Sequence, residues 1–158
     1  MKINLNTKIL TIRGKPIEME EPIRGASNDI LNEIAGYPIT NPEDLSKKLT
    51  EWQKKLKETT KRDMTIRDSF LTILGQRFDI KDRKEIFWTT ELGIVISNDK
   101  NKEAEISGGK LDFLKRIVEN NKIKQQSPMG EKEVELFFPN ELGQILIALE
   151  GEEEKKDK

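Results

Sequence analysis

Asn41-Pro42-Glu43-Asp44-Leu45-Ser46-Lys47-Lys48-Leu49-Thr50-Glu51-Trp52-Gln53-Lys54-Lys55-Leu56-Lys57 is the stretch whose reading decides the fold class. Asn41 is a helix-capping residue, and Pro42 suits the first helical position because its missing N–H would have no partner there anyway. Glu43 and Asp44 then face the positive end of the helix dipole. Leu45, Leu49, Trp52 and Leu56 follow at spacings of four, three and four, so all four share one narrow stripe of a helix. Such a stripe docks on the chain's own core, the commoner outcome, or it takes a partner subunit, since aromatic anchors are frequent at interfaces. Leu45, Leu49, Trp52 and Leu56 are therefore the candidate partner interface.

The same stretch is basic. Across Leu45–Arg62, Lys47, Lys48, Lys54, Lys55, Lys57, Lys61 and Arg62 face only Glu51 and Glu58, which leaves a local charge of +5. Those seven cations are the alternative candidate site, a surface for nucleic-acid phosphates. Arginine is scarce there, no helix-turn-helix or RNA-binding motif accompanies it, and the preceding 17–44 carries −6 as an internal neutralising partner. A solvated helix face is the simpler reading.

Downstream, Thr65 with Asp68 three residues on resembles a capping box and opens a helix bearing Ile66, Phe70, Ile73 and Leu74, ended by Gly75. Asp79 is the expected cap of the next helix, which runs to about Ile96 with Trp88, Leu92 and Val95 on one face; a strand over 93–97 that turns and pairs with 103–106 is the alternative. Ser107 is the expected cap of a helix with Leu111, Leu114, Ile117 and Val118, ending at Asn120-Asn121. Glu133–Phe138 alternates like a short strand, and Pro139 begins a last helix striped by Leu142, Ile145, Leu146 and Leu149 and ended by Gly151. Upstream, Ile9–Ile12 and Ile17–Glu20 around Arg13-Gly14-Lys15-Pro16 read as a hairpin with Leu10, Ile12, Ile17 and Met19 on one face. Ser27-Asn28-Asp29 is the expected cap of a short helix with Ile30, Leu31, Ile34 and Ala35.

Composition narrows the chemistry. The 158 residues include no cysteine and no histidine. That excludes disulfides, Cys and His nucleophile–base pairs, and zinc, haem or iron–sulfur sites with those ligands. An enzyme built from this chain would use carboxylates, lysine, hydroxyls or a hard metal ion. Glu131, Glu133 and Glu135 form one acidic group and Asp79, Asp82 and Glu85 another, but lysines and Arg83 are interleaved with both, as on a solvated face. Ser107-Gly108-Gly109-Lys110 echoes the end of a phosphate loop, yet Ala104 and Leu111 stand where that motif needs Gly and Ser or Thr. No catalytic, metal or cofactor residue is assigned.

Leu, Ile, Val and Phe make up about 27% of the chain, enough for a modest core. With a net charge of −1, no apolar run of membrane length and no signal-like start, the expectation is a soluble cytoplasmic protein with no membrane contact. The 19 Ile against 3 Val and 21 Lys against 7 Arg fit an AT-rich genome, with a thermophilic source the other explanation.

The order of these features resembles that in a group of small phage-encoded proteins of uncertain function. The resemblance lies in the Arg13-Gly14-Lys15-Pro16-Ile17 turn, the helix start Met64-Thr65-Ile66-Arg67-Asp68-Ser69-Phe70-Leu71, the acidic Glu103-Ala104-Glu105-Ile106 leading into Leu111–Glu119, and the Gly-Gln helix over 142–151. It covers 1–20 and 63–151 and implies a viral or prophage origin; the group lends no catalytic residues.

The sequence thus predicts a mainly α chain with a small N-terminal β-hairpin, an α+β fold in one compact helical domain over 1–150. Within it, 1–20 is the hairpin, 21–63 an insertion holding the amphipathic basic helix, and 64–150 the helical core, with a disordered charged tail over 151–158. The expected role is that of a non-enzymatic phage or prophage accessory protein, an assembly factor or modulator of a host machine. It would act in the host cytoplasm or in the virion, through a viral or host protein partner or by self-association. Nucleic-acid binding and a carboxylate-based Mg²⁺ enzyme are the alternatives.

Overall fold

A computed structural model describes residues 1–38, 41–76 and 79–151; of the tail expected over 151–158, Gly151 caps the last helix and the rest lies outside the described residues. In chain order the elements are β1 (Lys2–Asn4), β2 (Glu18–Pro22), α1 (Ala26–Gly36), α2 (Pro42–Lys57), β3 (Thr59–Asp63), α3 (Ile66–Leu74), α4 (Arg83–Ser97), β4 (Glu103–Glu105), α5 (Gly109–Asn120), β5 (Lys122–Ser127), β6 (Gly130–Glu135) and α6 (Pro139–Glu150). The fold is mixed α+β: the strands form separate pairs, β1 with β4, β2 with β3 and β5 with β6. The chain divides into two compact units, one of Met1–Ile17 with the residues from Asp63 onward, the other of Glu18–Arg62.

The first unit is built on α3, α4, α5 and α6. Phe70, Ile96, Leu114, Ile145 and Leu149 sit at its centre with no appreciable exposure, alongside Ile3, Leu5 and Ile9 from the N-terminal segment. Antiparallel pairing of β1 with β4 sets Ile3 opposite Ala104, so the two inward residues of these short strands enter the core together. Thr65 starts α3 as expected: its N–H and its hydroxyl both donate to Asp68 Oδ2, at 2.8 and 2.7 Å.

Two long polar side chains tie distant segments of this unit together. The buried Arg67 on α3 donates to the carbonyls of Ile96, Asn98 and Asn101. It thereby neutralises the carbonyl-rich C-terminal end of α4. Gln144 on α6 takes up both backbone groups of Leu10, accepting from its N–H at 2.8 Å and donating to its carbonyl at 2.7 Å.

The N-terminal hairpin differs from the expectation. The chain does reverse at 11–16, with Gly14 at φ +74 and Ile17 N–H donating to the Ile9 carbonyl, but only the bridge Leu10–Pro16 forms. Leu10's outward backbone groups go to Gln144, and the Ile17 carbonyl accepts from Met64 N–H instead. Leu10 and Ile12 are exposed rather than sharing a buried face with Ile17 and Met19. The following strand, β2, finds its partner in β3, some forty residues away in sequence.

Several element ends also move. Gly25 with φ +83 precedes α1 in place of the expected Ser27-Asn28-Asp29 cap. Asp82, not Asp79, caps α4 by accepting from the N–H groups of Lys84 and Glu85. Gly108, not Ser107, precedes α5. The strand expected at 133–138 is β6 at Gly130–Glu135, paired with the unanticipated β5. The segment 83–97 is helical, as favoured, and 103–105 pairs with the N-terminus rather than with 93–97.

Candidate functional site

The unit Glu18–Arg62 carries both sets of residues singled out in the sequence, all on α2 except Lys61 and Arg62, which lie on β3. Asn41 caps this helix by accepting from Glu43 N–H at 3.0 Å, with Pro42 at its first position. Trp52 lies at 4% exposure and packs edge-on against Tyr37, the ring centroids 5.7 Å apart. Its indole Nε1 donates to Glu33 Oε2 on α1 at 2.9 Å. The other oxygen of Glu33 accepts from Lys55 Nζ at 2.9 Å, so one carboxylate clamps two turns of α2 to α1. The Lys55 and Trp52 donors hold the Glu33 carboxyl below the usual carboxylate range. A groove of about 470 Å³ opens beside this clamp, lined by Glu33, Tyr37, Lys48, Trp52 and Lys55 among others.

The apolar stripe is thus split. Trp52 is turned inward, Leu45 is half-buried, and Leu49 and Leu56 remain 47% and 49% exposed. Isolated exposed leucines need no explanation, but two on one helical stripe form an apolar strip along α2. On α1, Ile30 is buried while Leu31 and Ile34 are exposed.

The basic set is also divided. Lys48 pairs with Glu51 at 2.8 Å, Lys55 with Glu33 at 2.9 Å, Lys61 with Glu18 at 3.7 Å and Arg62 with Glu21 at 2.5 Å. The hydrogen bond within the first pair raises the pKa of Lys48 and lowers that of Glu51. Lys47, Lys54 and Lys57 are exposed and make no ion pair among the described residues. Their spacing of seven and three puts them on one side of α2, away from the leucines.

The carboxylates and glycines of the other unit have structural work. Asp82 caps α4, and the buried Glu85 pairs with Arg116 at 2.7 Å and accepts from Lys81 N–H at 2.7 Å. Asp79 pairs with Lys124 at 3.6 Å. Among the described residues no group of three or more acidic side chains could hold a metal ion. Gly108 adopts φ +57, and a Cβ at Gly109 would lie 2.7 Å from the Trp88 ring. Those two requirements account for the glycine pair without a phosphate. Lys110 is paired with Glu91 at 2.6 Å.

No protein family, curated protein or solved structure matches this chain. No helix among the described residues is long and apolar enough to cross a membrane. The sequence reading missed Glu33, the residue that organises the α1–α2 pair. Its only signal was a carboxylate two positions before Ala35 in a short predicted helix, which says nothing of a tryptophan nineteen residues away.

Proposed function

We propose that this chain is a non-enzymatic accessory protein of a phage or prophage that works by protein–protein contact, as an assembly factor or a modulator of a host machine. One observation carries the reading: Leu49 and Leu56 stay about half exposed on α2 while Trp52, on the same stripe, is buried. A helix serving only to close its own unit would turn the whole stripe inward. Here the tryptophan anchors the helix and the leucines are left for a partner. The phage origin rests on the resemblance of 1–20 and 63–151 to small phage-encoded proteins. It places the chain in the host cytoplasm, and in the virion if the partner is a virion protein.

The test is affinity capture from infected host cells with the intact chain and with Leu49→Asp and Leu56→Asp. The reading expects a specific partner whose recovery falls at least about tenfold with either variant. Identical captured proteins from all three chains would sink it. The unpaired side of α2 formed by Lys47, Lys54 and Lys57 supports the nucleic-acid reading as second choice. Charge reversal at Lys47, Lys54 and Lys57 should then abolish a mobility shift that weakens steeply with salt.

A further inference from the structure

We infer that the groove beside β1 in the first unit takes an acidic extended peptide, which adds to the free edge of β1 as a further strand. This goes beyond the reading of α2, which lies in the other unit, and stands or falls apart from it. The first ground is the backbone. Met1 and Ile106 exchange hydrogen bonds at 3.0 and 2.9 Å, and Leu5 N–H donates to the Lys102 carbonyl at 2.9 Å. With Ile3 opposite Ala104, residues 1, 3 and 5 thus turn their backbone groups toward β4. The N–H and C=O groups of Lys2 and Asn4 point the other way, and among the described residues none of them has a hydrogen-bond partner.

The second ground is the space beside that edge. A groove of about 430 Å³ is lined by Lys2, Ile3 and Asn4 together. Side chains of successive strand residues point to opposite faces, so three in a row line one groove only where it runs along the strand's edge. Ile147 and Ala148 of α6 also line it, and Ile147 is 64% exposed there. A free strand edge beside a helix with an apolar side chain turned outward is the arrangement that takes up a peptide by strand addition.

The occupant follows from what is unpaired and what is charged. Donor and acceptor groups repeating at every second residue are the complement of another extended backbone. Lys2 and Lys8 line the groove and no carboxylate does. Lys8 shares its charge with Asp63 at 2.7 Å, whereas Lys2 makes no ion pair among the described residues. On its other side β1 already pairs with such a sequence: in Glu103-Ala104-Glu105-Ile106, Glu105 stands opposite Lys2 and the apolar Ala104 opposite Ile3. A peptide alternating acidic and apolar residues repeats that match on the free edge. Two edge residues supply few hydrogen bonds, so the dissociation constant is on the order of 100 µM.

Titrating the full chain, labelled with nitrogen-15, with the blocked peptide acetyl-Glu-Val-Glu-Val-Glu-amide up to about 2 mM tests it. The amide resonances of Lys2 and Asn4 should shift and become protected from hydrogen exchange, while those of α3 and α5 stay put. Ile147→Asp should weaken binding at least about tenfold and Lys2→Glu about fivefold, with the rest of each spectrum unchanged because both side chains are exposed. The same peptide with lysine for glutamate should bind about tenfold more weakly. No shift at Lys2 and Asn4, equal binding of the lysine peptide, or indifference to Ile147→Asp would each overturn the inference. So would protection of those two amides without peptide: if lost on removing 152–158 it gives the edge to that segment, and if it grows with chain concentration it gives the edge to a second copy.

Discussion

Among the described residues, the unit of Met1–Ile17 and the residues from Asp63 onward buries eighteen apolar side chains in one cluster, from Ile3 through Phe70 to Leu149. In Glu18–Arg62 the buried apolar side chains among the described residues are Ile30 and Trp52. The first unit has the core of a small independent domain; the second holds its two helices with a tryptophan, a tyrosine and a carboxylate clamp. It also leaves Ile23, Leu31, Ile34, Leu49 and Leu56 exposed. Exposed apolar side chains are not peculiar to it, since the first unit leaves Ile12, Phe87, Ile94, Met129 and Phe138 exposed as well; the units differ in how much they bury. The difference locates the stability of the molecule in the first unit.

Three perturbations would break or sharpen that contrast. The largest effect belongs to Phe70→Ala in the main core, where the side chain has no exposure. It should cost about 4 kcal/mol and lower the thermal midpoint of the whole unit, read by calorimetry. A loss below about 1 kcal/mol would mean that the cluster is not the source of stability. Trp52→Ala comes next, at about 3 kcal/mol, and its effect should be local. Amide hydrogen exchange should rise across 18–62 and stay slow in α3, α5 and α6. Equal acceleration in both units would abolish the distinction between them.

The smallest effect is on pH dependence. Glu33 is held below the usual carboxylate range by Lys55 and Trp52. A depressed folded pKa contributes stability above the unfolded value and loses it as pH falls through the folded one. The α1–α2 clamp should therefore loosen on acidification below about pH 4.5. The indole N–H resonance of Trp52 would follow the titration, and Glu33→Gln should flatten it. A Trp52 resonance with the same acid midpoint in Glu33→Gln would reject the assignment.

Much of the helical framework was legible. Asn41-Pro42, the Thr65–Asp68 pair and Pro139 mark starts that the structure shows at or within one residue of those positions. These signals act within three or four residues, so they survive without knowledge of the fold. The short strands were not legible in the same way. β5, Lys-Ile-Lys-Gln-Gln-Ser, has one apolar side chain and exists because β6 lies antiparallel to it. The candidate interface was found as four residues of one kind, and three of them stay at least partly exposed while the fourth does not.

The sequence alone marked where α2, α3 and α6 begin, which side of α2 is apolar and which catalytic chemistries the absence of histidine and cysteine excludes. Tertiary structure alone decided that β2 leaves the N-terminal turn to pair with β3, and that Gln144 and Arg67 serve as backbone partners for distant segments. It also decided that Trp52 turns inward onto Glu33 and Tyr37 while Leu49 and Leu56 stay out. Caps and periodicity are set by neighbours a turn away. Which member of a stripe is buried depends on groups supplied by segments that meet only when the chain has folded.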